Sequence, residues 1–181
     1  MNTTPVKRFK WFWACQDVEE EAWLGEMSKQ GLHLKSPGCF HRYTFQAGAP
    51  REAVYRLDFL KRSEKTEDYF QLIRDAGWEH LGEMNGWQYW RKAVQDGGTP
   101  EIFTDIESKI QKYQRLTASF STSAGFLLVI GLAVFKRFPG RHPLWFVILY
   151  IALFFSWLLF AALNTIKVQM RINELKRSRQ P

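Results

Sequence analysis

Residues 143–164 read PLWFVILYIALFFSWLLFAALN, and from Leu144 to Leu163 they carry no charge for 20 residues. At about 1.5 Å per helical residue, that run crosses a hydrocarbon core about 30 Å thick. Residues 117–135, TASFSTSAGFLLVIGLAVF, add 19 more uncharged positions. Only Lys136 to His142 lies between the two runs. The expected architecture is therefore a transmembrane hairpin with spans at 117–135 and 143–164. A domain at 6–95 precedes it, followed by a linker and juxtamembrane helix at 96–116, and a basic tail at 165–181 closes the chain.

The charge pattern fits a membrane rather than nucleic acid. The net charge is +7, yet residues 1–98 hold 14 Lys/Arg against 14 Asp/Glu, while residues 99–181 hold 11 against 4. The whole excess flanks the spans, where basic residues attract anionic lipid and set topology. Lys109, Lys112 and Arg115 precede the hairpin, and Lys167, Arg171, Lys176, Arg177 and Arg179 follow it. Lys136, Arg137 and Arg141 lie in the connection. The expectation is a two-pass protein of the cell membrane with both termini cytoplasmic and membrane lipid as a partner. Residues 1–30 lack an apolar leader core and carry Asp17, Glu19, Glu20 and Glu21, so no secretory signal is expected. Cys15 and Cys39 would stay reduced in such a compartment, as small buried hydrophobes.

In the N-terminal domain, Phe9–Cys15 reads as a strand with apolar odd positions. Asp17 is the expected cap of a helix whose stripe is Trp23, Leu24 and Met27 and whose end is Gly31. Leu32–Lys35 and Cys39–Gln46 read as strands around a Pro37-Gly38 turn. Ala53–Leu60 begins a second round, with Ser63 or Thr66 capping a helix striped by Tyr69, Phe70, Ile73 and Ala76 and ended by Gly77. Trp78–Glu83 and Trp87–Lys92 flank an Asn85-Gly86 hairpin signal. The rounds match at an offset of 46, pairing Trp23, Leu24, Met27, Gly31, Leu32 and Tyr43 with Tyr69, Phe70, Ile73, Gly77, Trp78 and Tyr89. The expected fold is α+β: an antiparallel sheet with two helices on one face, either a duplicated βαββ unit or a ferredoxin-like arrangement.

Alternation then sends Phe12, Arg42, Thr44, Arg56, Asp58, Gln88 and Trp90 to the opposite, open face. Phe12, Arg42, Arg56, Asp58 and Trp90 are the candidate ligand-binding residues, suited to a planar or anionic molecule. The plainer reading is a solvated face with cross-strand ion pairs. His33, Cys39 and His41 match no common zinc spacing. Phosphate-loop, nucleophile-elbow and dinucleotide motifs are missing too, so neither metal, cofactor nor enzymatic activity is expected. Glu19, Glu20 and Glu21 read as a solvated helix start.

Pro100 is the expected first residue of a linker helix with Ile102, Ile106, Ile110 and Tyr113 on one stripe. The tail would continue the second span with Ile166, Met170 and Leu175 as its stripe, the two forming an antiparallel stalk. Thr117, Ser121 and Gly125 on one span, and Ala152 and Ser156 on the other, are small residues at four-residue spacing. They serve packing within the hairpin or a homodimer.

The runs FKWFWACQDVEEEAWLGEMSKQGLHL, YRLDF, DAGWEHLGEMNGWQYWRK and IFTDIESKIQKYQR, in that order, resemble the bacterial domain-of-unknown-function family 2812 over roughly residues 8–116. The resemblance implies a cytoplasmic domain followed by membrane helices, in proteins often encoded beside PadR-type transcriptional regulators. It brings no catalytic residues. The doubled strand–helix–strand–strand order is also similar to the GyrI-like small-molecule-binding fold, in topology alone. The functional expectation is a membrane-anchored, non-enzymatic binding or regulatory module for a small molecule or protein partner. The alternatives are an accessory subunit of a membrane transporter or other membrane complex, or an enzyme working from the open sheet face.

Overall fold

Two strand–helix–strand–strand rounds do form, each with the same sheet order. In the computed structural model, residues 5–39, 41–94, 100–102, 106–137 and 143–177 are described. The first round is β1 (Val6–Phe9), α1 (Asp17–Lys29), β2 (Leu32–Gly38) and β3 (Arg42–Ala47), and the second is β4 (Ala53–Phe59), α2 (Glu67–Asp75), β5 (Glu79–Met84) and β6 (Trp87–Ala93). Their antiparallel sheets run β1-β3-β2 and β4-β6-β5. Two long helices follow, α3 (Ile106–Arg137) and α4 (Leu144–Arg177). The chain divides into two units, Met1–Lys112 and Tyr113–Pro181. The expected Asp96-Gly97-Gly98 boundary lies outside the described residues.

The repeat is real in architecture, but its offset changes along the chain. The ladder shifts register between Leu34 and Ser36 in the first sheet, and between His80 and Gly82 in the second. Those bulges are 46 residues apart. Their partner strands, however, are 45 apart: Leu34 pairs with Phe45 and Ser36 with Thr44, while His80 pairs with Trp90 and Gly82 with Tyr89. The cause is the hairpin turn. Residues 39–41 connect β2 to β3, whereas Asn85 and Gly86 alone connect β5 to β6. Both adopt positive φ, 53° and 88°, as a two-residue primed turn requires. At Gly86 an added Cβ would also stand 2.7 Å from the Phe59 ring.

A one-residue slip turns every side chain to the other face. Tyr43 therefore corresponds to Gln88 rather than Tyr89, and Phe45 corresponds to Trp90. This corrects the expectation of one open face opposite two helices. In the first sheet Tyr43 and Phe45 meet α1, with ring centroids 4.9 and 5.7 Å from Trp23. In the second, Trp90 is fully buried with Ile73 of α2 and Trp78. Arg56 and Asp58, directly opposite Trp90 and Gln88, share that face. Tyr89 and its neighbour Leu57 face α1 instead, through Glu20. The second sheet is thus covered on both faces.

Local differences have local causes. The β1 strand ends at Phe9, not Cys15, because residues 13–16 turn into α1: Gln16 N donates to Trp13 O at 2.9 Å, and Trp13 N donates to Gln16 Oε1 at 2.9 Å. Gln16, not Asp17, is the N-cap residue. Pro37 sits inside β2, an outer strand of its sheet, the kind of strand to which proline is largely confined. On α2 the cap is Thr66, whose Oγ1 accepts from Tyr69 N at 3.3 Å.

Both long helices exceed their apolar runs, at 32 and 34 residues, and both are long and apolar enough to cross a membrane. The α3 helix starts at Ile106, not Pro100, so Ile102 lies before it, packed on the Trp90 cluster. On the tail the buried positions are Asn164, Val168 and Ile172, while Ile166 and Met170 are exposed. Of the expected stripe, Ile166 and Met170 lie on the exposed side, and only Leu175, half-buried, falls on the buried one.

Nor does the expected small-residue stripe make the hairpin seam. Ser121, Gly125, Ala152 and Ser156 are exposed, Thr117 is half-buried, and an added Cβ at Gly125 meets nothing within 4 Å. The seam is aromatic. Phe120 meets Trp157 and Phe160 at 6.0 and 6.3 Å, and Tyr150 meets Phe135 at 5.7 Å and donates to Leu127 O at 2.7 Å. Gly131 makes room for Tyr150, whose hydroxyl an added Cβ would overlap. Gly131→Leu should cost about 1–3 kcal/mol by overpacking, read as a lowered melting temperature of the full chain in mild detergent. Gly125→Leu should leave it unchanged, and equal effects would refute this seam.

Candidate functional site

Two buried polar clusters occupy the first unit. One lies between α2 and the second sheet. Alternation along β4 and β6 brings Asp58, Gln88 and Trp90 under the stripe of α2. Tyr69 OH donates to Asp58 Oδ2 at 2.8 Å, and Gln88 Oε1 lies 3.0 Å from His80 Nε2, beside the Glu83 carboxylate. Tyr69, Phe70 and His80 surround Trp90 with centroids 6.2, 5.8 and 4.7 Å away. Burial holds the His80 imidazole below its usual pKa, despite the opposing bond to Gln88. Trp90 is 0 % exposed, yet its indole N–H has no hydrogen-bond partner among the described residues. A buried Trp N–H normally finds an acceptor.

The other cluster is built on the first turns of α1. Asp17, Glu20 and Glu21 continue N-terminally the face that carries Leu24, Met27 and Ser28, and all six are buried. Only Glu19 fits the expected solvated start. Asp17 Oδ2 pairs with Lys112 Nζ at 2.5 Å. Glu21 accepts from Leu57 N at 2.7 Å and from Arg56 Nη1 at 3.3 Å. Arg56 also reaches Glu101 at 2.6 Å, which in turn pairs with Lys109 at 3.3 Å. Glu20 Oε1 accepts from Tyr43 OH at 2.7 Å and Tyr89 OH at 2.5 Å. Burial raises Glu20 to about 6, against the two tyrosine bonds, and raises Glu21 to about 7, against the charges of Lys112 and Arg56. Burial and the Glu20 charge push both tyrosines up, keeping them as donors. Chemically this cluster can hold a proton at neutral pH and clamp α1 to the start of α3.

Of the five residues expected to form one site, Asp58 and Trp90 lie beneath α2 rather than on an open face, and Arg56 shares their strand face but carries its guanidinium to Glu21 and Glu101. Phe12 is buried against Trp23, 5.7 Å between centroids, and Arg42 is exposed on the first sheet. His33 uses both ring nitrogens structurally: Nε2 lies 2.9 Å from Ala49 O, and Nδ1 lies 3.0 Å from Ser28 Oγ. The described residues contain no group of three His, Cys, Asp or Glu placed to hold a metal ion. Sequence reasoning leaves the α1 carboxylates out of the candidate site, although Glu21, Glu20 and Asp17 stand three, four and seven residues before Leu24, on its face of the helix.

Against known proteins, the family model described as "Protein of unknown function (DUF2812)" matches residues 16–125, more than half of the chain. No curated protein and no solved structure matches it.

Proposed function

Since this chain belongs to the DUF2812 family of proteins of unknown function, we propose that it is a membrane-anchored, non-enzymatic binding module with both termini cytoplasmic. In this reading its N-terminal unit takes a small planar molecule bearing a hydrogen-bond acceptor, between α2 and the second sheet. What carries the reading is the unmatched indole N–H of Trp90 inside a box of aromatic rings. Rings on several sides favour a flat ligand, and a buried donor without a partner favours an acceptor on it. The α2 helix has only nine residues, so opening it to admit a ligand costs little structure. Arg56 shares the face of Trp90 and reaches Glu101 and Glu21, giving an occupied box a route to the start of α3.

The test uses the full chain in mild detergent with benzoate, benzamide and their bicyclic analogues as probes. At least one probe at a hundred times its dissociation constant should stabilise the native state by about 2.7 kcal/mol, seen as a raised melting temperature. Trp90→Phe keeps the ring and removes the donor, so it should retain the fold and lose most of that response. No response to any probe, or an equal response in Trp90→Phe, would overturn the proposal.

A further inference from the structure

The outer face of the first sheet, at the end where β1 leaves it, carries a different kind of surface. Phe9 pairs directly with Arg42, and Lys7 pairs with Thr44, so Phe9, Lys7 and Arg42 share the face turned away from Tyr43 and Phe45. Phe9 is 67 % exposed. Trp11 follows just beyond the strand, 54 % exposed, with its ring 4.3 Å from that of His41. Arg8 is exposed on the same strand, while Lys10 turns back over the Phe12 and Trp23 rings, 5.0 Å from each. Residues 5–16 and 38–48 contain Lys7, Arg8, Lys10 and Arg42 and no carboxylate. Lys7, Arg8 and Arg42 form no ion pair among the described residues.

Charges on an edge strand are a common protection against strand pairing. Two exposed aromatic rings beside them do the opposite, since they add apolar area to that edge. Basic side chains beside exposed Trp and Phe rings suit the headgroup layer of an anionic bilayer: the cations meet lipid phosphate, and the rings seat at the acyl boundary. We infer that the Lys7–Phe9–Trp11–Arg42 face docks onto the anionic lipid surface of the membrane in which the chain is anchored. This rests on the anchoring reading above.

Cys39 tests it. It is exposed and sits in the β2–β3 turn, next to Gly38, which pairs with Arg42. The full chain carrying Cys15→Ser, so that Cys39 is the sole thiol, is reconstituted into nanodiscs of phosphatidylcholine alone or with a quarter of phosphatidylglycerol. The reaction of Cys39 with a charged maleimide is then timed. Docking should slow it about tenfold in the anionic discs. The slowing should vanish in about 1 M salt, where the Debye length is about 3 Å, and in Lys7→Glu/Arg42→Glu, whose side chains are exposed. Equal rates in both lipids, or slowing that ignores salt and the charge reversal, would overturn the inference. Slowing that follows protein density rather than lipid charge would point instead to pairing with a second copy along β1 and also overturn it. Failure of the chain to enter discs at all would remove the anchoring itself, a result distinct from insertion with an unchanged Cys39.

Discussion

Replacing Lys112 by methionine should destabilise the N-terminal unit by about 3–5 kcal/mol, because it removes one partner of a buried ion pair. Asp17 is 2 % exposed, and the Lys112 ammonium lies 2.5 Å from its Oδ2 and 3.3 Å from Leu57 O. The ammonium also lies 5.8 Å from the centre of the Trp87 ring. Methionine keeps much of the packing and removes the charge. The loss should be read as a lowered melting temperature of the full chain in mild detergent. It should be greater at pH 8 than at pH 5, since Lys112 also holds down the pKa of Glu21. Converting Asp17 to leucine in the same chain should recover a good part of the loss, because a buried pair replaced by apolar groups of similar volume is often neutral. If Lys112→Met alone is harmless, the pair does not clamp α1 to α3.

The second large effect is on pH. Glu20 and Glu21 are raised from 4.5 to about 6 and about 7 by burial. Both carboxyls bind protons more tightly in the folded chain than in the unfolded one. Their contribution to stability is therefore fully present below about pH 4.5 and is lost as pH rises through 6 and 7. At about 1.4 kcal/mol per pH unit, the two together are worth on the order of 5 kcal/mol. His41 and His80 act the other way: burial lowers both, so their contribution is lost as pH falls below their unfolded value of about 6.5. The decisive measurement is the difference between the wild-type chain and Glu21→Gln from pH 5 to pH 8. The variant should show a distinctly shallower fall in melting temperature across that range. Parallel curves would mean that Glu21 is already ionised at pH 5, its hydrogen bonds to Arg56 and Leu57 outweighing burial.

Much of the architecture was legible in the sequence because it rests on local rules. Two uncharged runs of 19 and 20 residues specify two long helices, whatever they pack against. Gly31 and Gly77, with φ of 81° and 84°, end two amphipathic helices as their positions indicated, and Asn85-Gly86 forms its turn. The α+β class and the doubled strand–helix–strand–strand order follow from these signals alone.

What only the tertiary structure decided is which face each side chain occupies. Strand faces depend on register, and register depends on turn length; one residue fewer between β5 and β6 moved Trp90, Gln88 and Asp58 from an expected open face to a closed one under α2. The same holds for the α1 carboxylates. Glu20 and Glu21 read as solvated because charges usually are, and Asp17 read as a cap. Whether they are buried turns on partners far along the chain, Tyr43, Arg56, Tyr89 and Lys112, which only folding brings to them. In the hairpin, composition marks Thr117, Ser121 and Gly125 as a packing stripe. The seam instead follows where Tyr150 finds room, at Gly131, and where Trp157 meets Phe120.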